Sequence, residues 1–177
     1  MTQQGLEQII IGCKKGQEQC FAQLVDIYSR RCFAYFYRLT GSAATSEDLL
    51  SELFVKLVEK IGTFRGGNFD GWLFAMASNI FYDHLRFKQR QTRLLDEQTK
   101  RARSQPMATE EMGNDAYDKL QNALGKLDDD IRELILMRYY SHLSFREISQ
   151  TTAEPIGTVL SKVHRGIKKL RELMREI

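Results

Sequence analysis

The chain has 177 residues, 42% of them hydrophobic and 28% charged, with a formal net charge of +3. That composition supports one or two small cores and excludes both a large single-core enzyme and a disordered tail. With only 2 Pro and 12 Gly, and with Ala, Leu, Glu, Lys, Arg and Gln abundant, long helices are easier to build than hairpin-rich sheet, so the expected fold is all-α.

The opening segment MTQQGLEQIIIGCKKG carries neither a basic leader nor a long apolar run, and no later stretch reaches the length of a bilayer span. A cytoplasmic chain without membrane insertion is expected. Cys13, Cys20 and Cys32 are odd in number and show no C-x-x-C spacing. They read as buried free thiols, with neither a disulfide framework nor a metal site, and no cofactor is indicated.

Helical periodicity predicts segments over residues 6–12, 17–40, 46–61 and 70–90, separated by Gly16, Gly41 and the run Phe64-Arg65-Gly66-Gly67-Asn68. Residues 91–115 contain Pro106 and Gly113, no aromatic residue and no sustained apolar period. They read as an exposed, flexible linker between a domain over 1–90 and a second over 116–177. Helices are expected beyond it at 116–127, 129–140, 145–150 and 156–175. Thr45 and Ser46 ahead of Glu47 and Asp48 suggest one helix start, Ser144-x-x-Glu147 is a capping-box pattern, and Pro155 suits a first turn.

Charge is patterned along the chain. Residues 79–103 hold seven Lys or Arg against three acids, 108–130 two against seven, and 156–177 six against two. Two basic patches flanking an acidic segment would present a polyanion with local fields that the net charge hides.

The segments at 145–150 and 156–175 are joined by Thr151-Thr152-Ala153-Glu154, the length of a helix-turn-helix turn. On the second helix Ile156, Val159, Val163, Ile167, Leu170 and Met174 make an apolar face. Thr158, Ser161, Lys162, Arg165 and Lys169 fall opposite it. Such a stripe can lie in a major groove, with cations reaching phosphates or guanine edges and hydroxyls making short hydrogen bonds. Gly157 and Gly166 would cost helix stability unless the backbone there must approach something closely.

In the N-terminal half, Asn79, Asp83, Arg86 and Arg90 share one helix face by spacing, and the loop Phe64-Arg65-Gly66-Gly67-Asn68-Phe69 lies just upstream. Rings beside cations can stack single-stranded bases, and an amide can read the edge of an extruded one. Trp72 and Phe81 read as core, and Asp83 with Arg86 as a pair. Segment 46–61 buries Leu50, Leu53, Phe54, Leu57 and Ile61 on one side and turns Asp48, Glu52, Lys56 and Glu59 outward.

The run Arg38-Leu39-Thr40-Gly41, Ser46-Glu47-Asp48-Leu49-Leu50-Ser51-Glu52-Leu53-Phe54, Phe64-Arg65-Gly66 to Phe69-x-x-Trp72-Leu73-Phe74-x-x-Ala77-x-Asn79 and Asp83-x-Leu85-Arg86 resembles the promoter-melting domain of extracytoplasmic-function sigma factors of the sigma-70 family. The second half agrees: Leu127-Asp128-x-x-x-Arg132-Glu133, Leu143-Ser144-Phe145-x-Glu147-Ile148 and Pro155-Ile156-Gly157-Thr158-Val159-x-Ser161-Lys162-Val163-His164-Arg165-Gly166 resemble that family's upstream-element domain. The likeness covers about residues 20–90 and 118–173. It implies a transcription initiation factor whose partners are core RNA polymerase and promoter DNA, duplex and melted. An anti-sigma factor is a further partner that family members often have.

By the resemblance, Asp48, Glu52, Phe54 and Lys56 match the polymerase-docking helix. Phe64, Arg65, Asn68, Phe69, Asn79, Arg86 and Arg90 match the minus-ten reader. Thr158, Ser161, Lys162, His164, Arg165 and Lys169 match the minus-thirty-five recognition helix. Ser51, Val58 and Leu160 depart from residues common in the family, Gln, Trp and Lys or Arg respectively, and residues 1–15 fall outside the likeness. The alternatives fit less well. A helix-turn-helix regulator without initiation activity gives no role to the aromatic loop or the Asn79 face. An enzyme would rest on Asp83-His84, whose side chains leave a helix about 100° apart, and no Walker, H-E-x-x-H or Cys/His metal motif accompanies them.

Overall fold

The computed structural model describes residues 3–98 and 115–175, and among them every regular element is helical. Four long helices come first: α1 (Gln3–Lys14), α2 (Glu18–Thr40), α3 (Ala43–Lys60) and α4 (Phe69–Gln98), with a 3-10 turn at Ile61–Thr63. Four shorter ones follow: α5 (Asp115–Gly125), α6 (Asp129–Tyr139), α7 (Phe145–Thr152) and α8 (Ile156–Arg175).

Local chemistry sets most boundaries. α3 starts three residues earlier than the Thr45/Ser46 pattern suggests, because Ser42 is the cap and its side chain accepts from the Thr45 amide. Ser46 is instead buried, donating to the Ser42 carbonyl at 2.6 Å and sharing a hydrogen bond with Thr40. The capping box at α7 forms as expected, Ser144 accepting from the Glu147 amide while the Glu147 carboxylate takes the Ser144 amide at 2.8 Å.

The largest departure is α4, which continues through Gln98, past the end expected at residue 90. Residues 91–98 are mostly good helix formers, and extending an existing helix needs no new nucleus. Of the expected linker, residues 99–114 lie outside the described part.

The core is one continuous cluster. Leu24, Cys32, Tyr35 and Phe36 of α2, Leu53 of α3, and Leu73, Phe74, Ile80 and Phe81 of α4 join Leu134 and Leu136 of α6, Ile148 of α7, and Val159 and Val163 of α8. Phe81 is core as expected, whereas Trp72 is only partly buried. Gly166 marks a close helix approach: a Cβ there would sit 2.4 Å from Ile131 Cγ2 and 2.8 Å from Ile135 Cδ1. A Cβ at Gly157 would meet nothing within 4 Å, so close packing accounts for only one of the two helix glycines.

Polar contacts join the first four helices to the last four. Arg31 Nε donates to the Tyr140 carbonyl at 2.8 Å, and Arg38 reaches Gln121 at 3.1 Å. Gln121 in turn donates to the Tyr37 carbonyl at 3.1 Å. Arg132 donates to Leu124 and Leu127 carbonyls at the end of α5 and to the Leu39 carbonyl near the end of α2. One guanidinium thus satisfies last-turn carbonyls of two helices that have no intrahelical partner.

Candidate nucleic-acid interface

The turn of the C-terminal helix pair is built by Ala153, which closes α7 in the left-handed region at φ 55, and by Ser149, whose hydroxyl donates to the Glu154 carbonyl at 2.6 Å. α8 then presents Thr158, Ser161, His164, Arg165 and Lys169 to solvent. Among the described residues, Ser161 and Arg165 hydrogen-bond only within their own helix, to the Thr158 and Ser161 carbonyls, which leaves the hydroxyl acceptor and most of the guanidinium available to a ligand.

Lys162 is different. Its ammonium contacts Asp130 and Glu154, each at 2.8 Å, and its side chain is 21% exposed. Helical spacing put it on the outward stripe, but it sits at the stripe's edge where α6 supplies a carboxylate. The hydrogen bonds and charges of that pairing raise the Lys162 pKa and lower that of Asp130. Lys168, Arg171 and the departing residue Leu160 stand exposed on the outward side of α8 and were missing from the expected set. A period count that includes residues 160, 164, 168 and 171 would have found them.

The loop before α4 turns through Gly66 and Gly67, at φ 95 and 90, a region that Cβ-bearing residues rarely enter. Arg65 and Asn68 are exposed, but the rings of Phe64 and Phe69 are buried. Their centroids lie 5.3 Å apart, and Trp72 completes the cluster at 5.5 and 5.6 Å. The two phenylalanines therefore shape the loop from beneath and are not free stacking platforms. Lys14 of α1 clamps the loop by donating to the Phe64 carbonyl at 2.6 Å. Between α1 and the loop lies a cleft of about 370 Å³, walled by Ile10, Lys14, Phe64 and Gly66.

Along α4, Asn79, Asp83, Arg86 and Arg90 all face solvent. Arg86 and Asp83 pair at 3.2 Å with both side chains more than 60% exposed, a bond that water screens and DNA can replace. Phe87, 57% exposed beside them, was not singled out from the sequence.

On α3, Asp48 and Glu52 are exposed, Glu52 pairs with Lys56 at 2.6 Å, and Phe54 is half-buried against the core. Val55 and Val58 add 59% and 54% exposed apolar side chains to that face. His84 of α4 lies beside it, its pKa lowered chiefly by burial and by Lys88.

Residues 24–91 match Sigma-70 region 2, and residues 117–170 match Sigma-70 region 4. The ECF RNA polymerase sigma factor SigW of Bacillus subtilis (strain 168) is 31% identical over 93% of this chain and 94% of its own length. The chain belongs to the extracytoplasmic-function (ECF) sigma factors.

Among solved structures, the sigma factor RpoE bound to the anti-sigma factor NepR from Bartonella quintana superposes with a TM-score of 0.71 at 26% identity, covering 88% of this chain and 96% of that one. CnrH, solved with the cytosolic domain of CnrY, shares the fold at a TM-score of 0.68 and 21% identity, over 95% of this chain and 96% of that one. As a sigma factor, the protein has core RNA polymerase and promoter DNA as partners and acts in transcription initiation. Sigma factors are generally not enzymes. Among the described residues no helix is long and apolar enough to cross a membrane.

Proposed function

We propose that this sigma factor divides promoter recognition between two surfaces and reserves a third for core polymerase. The outward side of α8, with Thr158, Ser161, His164, Arg165 and Lys169, reads the minus-thirty-five duplex. Asn79, Arg86 and Arg90 of α4, with Arg65 and Asn68 of the loop, hold the melted minus-ten strand. Asp48, Glu52 and Lys56 of α3 dock on core polymerase around Phe54. The observation that carries this reading is the exposure of Ser161 and Arg165 on the second helix of a capped helix-turn-helix, with only intrahelical bonds to give up.

The action is in the cytoplasm, where polymerase works, and the chain has no catalytic activity of its own. The RpoE–NepR complex supports an anti-sigma factor as a further partner. The test is transcription from a promoter pool by core polymerase with and without the protein, followed by permanganate footprinting. Asn79→Ala should leave closed duplex binding nearly intact and reduce the melted bubble, whereas Arg165→Ala should weaken duplex binding. Equal loss of duplex binding in both variants, with no melting defect for Asn79→Ala, would overturn the division.

A further inference from the structure

Glu133 lies midway along α6 and is completely buried, in the face that α6 turns toward the first four helices. Ser78 of α4 donates to its Oε1. Tyr35 of α2 and Tyr82 of α4 close over the same carboxyl group. Glu133 Oε2 and the Tyr35 hydroxyl are left without a well-directed hydrogen bond. The groups acting most strongly on it are three hydroxyls and, from its own helix, Asp130, whose charge is paired with Lys162 of α8. None of them is a cation. A buried carboxylate with no counter-charge and one unpaired oxygen is costly, and a neutral carboxylic acid is not.

The same face ties the two DNA-reading surfaces together. Asn68 of the loop donates to Glu147 at 2.9 Å, and Glu147 is the capping residue of the helix-turn-helix. A Cβ at Gly71 would sit 2.8 Å from Leu143 across the junction. The loop and the helix-turn-helix are therefore in contact. Promoter elements about 25 base pairs apart are separated by roughly 85 Å of B-form duplex at 3.4 Å per step. The closed arrangement cannot serve both elements at once.

We propose that Glu133 is a proton-controlled latch: as a neutral acid it holds α5–α8 closed on α1–α4, and its ionisation favours the open chain that can span a promoter. The latch rests on the promoter reading above for its purpose, but not for its chemistry. Burial is the largest influence on the carboxyl and pushes its pKa from 4.5 up to about 7, against the opposing pull of the Ser78, Tyr82 and Tyr35 hydroxyls. In the open chain the group returns to its ordinary value. Closure is then fully supported below about pH 4.5, loses support as pH rises toward 7, and loses no more above it. Linkage between those two values makes the closed-to-open ratio fall about twentyfold between pH 5.5 and 7.5.

The test uses the full chain, wild type and Glu133→Gln, at the two pH values. Small-angle scattering reports the radius of gyration, and binding to a promoter fork that carries both the minus-thirty-five duplex and an unpaired minus-ten strand, which only the open chain can span, reports the open fraction even where closure dominates. The wild type should expand with pH, and its affinity for the two-element fork should rise about twentyfold relative to Glu133→Gln, which stays compact throughout. Taking the ratio to the Gln variant cancels pH-dependent contributions from groups other than Glu133. Glu133→Lys, checked for helix content by circular dichroism, should be expanded at both pH values. The proposal is overturned if neither wild-type dimensions nor the affinity ratio changes with pH, or if Glu133→Gln follows the wild type. Scattering that responds while no variant binds the two-element fork would uphold the latch and overturn the promoter reading.

Discussion

Lys162 and Arg165 are both cations on the recognition helix, and the structure predicts opposite behaviour when each is removed. The Lys162 ammonium is held 2.8 Å from both Asp130 and Glu154, whose side chains are 45% and 28% exposed. The Asp130 contact is largely screened and contributes less than about 1 kcal/mol. The Glu154 contact, to Oε1, is more shielded, and among the described residues the buried Glu154 Oε2 has no hydrogen-bond partner. Lys162→Gln should therefore cost about 1–2 kcal/mol, or roughly 3–6 °C in Tm for a chain of this size. The Asp130 pKa is lowered from 3.8 in the folded state, chiefly by its hydrogen bond to Lys162. That part of the loss should be present at neutral pH and disappear as pH falls through the depressed value.

Arg165→Ala removes an exposed side chain with an intrahelical bond of 3.3 Å, so stability should change by no more than about 0.5 kcal/mol. Its effect should appear on DNA, as a salt slope shallower by about 0.9 for a phosphate contact or a loss of about 1–3 kcal/mol for a base contact. Duplex binding across a salt series, alongside urea unfolding, separates the two. A flattened salt slope and unchanged stability for Lys162→Gln would refute the assignment of that lysine to the fold.

Gly166→Ala should destabilise by about 1–2 kcal/mol, because Ile131 Cγ2 is fixed directly on its Cβ and cannot swing clear of the 2.4 Å contact. Gly157→Ala, in open space, should be neutral or stabilising by up to about 1 kcal/mol in the same urea assay; matching signs would refute the packing argument. Asp48→Arg with Glu52→Arg should weaken co-sedimentation with core polymerase while far-UV circular dichroism stays unchanged, since both side chains face solvent; undiminished binding would remove α3 from the docking surface.

Most of the helices could be read from the sequence because each carries its own punctuation. Gly41, the Ser144/Glu147 box and Pro155 act within one turn of the boundary they set. The failures come where a neighbour in space decides. Ser46 looked like a cap, but Ser42 takes that role, leaving the Ser46 hydroxyl to bond Thr40 across the turn between α2 and α3. α4 ran past its expected end because residues 91–98 carry no breaker, and the lack of an apolar period there is no obstacle to extending a helix already nucleated.

The candidate sites show the same limit more sharply. Periodicity placed Ser161, Lys162 and Arg165 on one stripe, yet it could not show that Asp130, 32 positions earlier in the chain, stands opposite the middle one. Composition marked Phe64 and Phe69 as aromatic rings beside cations. Only packing reveals that Trp72 completes a buried cluster with them and that the exposed aromatic of this region is Phe87. Glu133 is the extreme case. In sequence it is an acid following Arg132 on a charged helix, and its burial is created by Ser78, Tyr35 and Tyr82 on two helices of the other half. A carboxyl whose environment is assembled from both halves is the group whose titration can report, and alter, whether those halves are together.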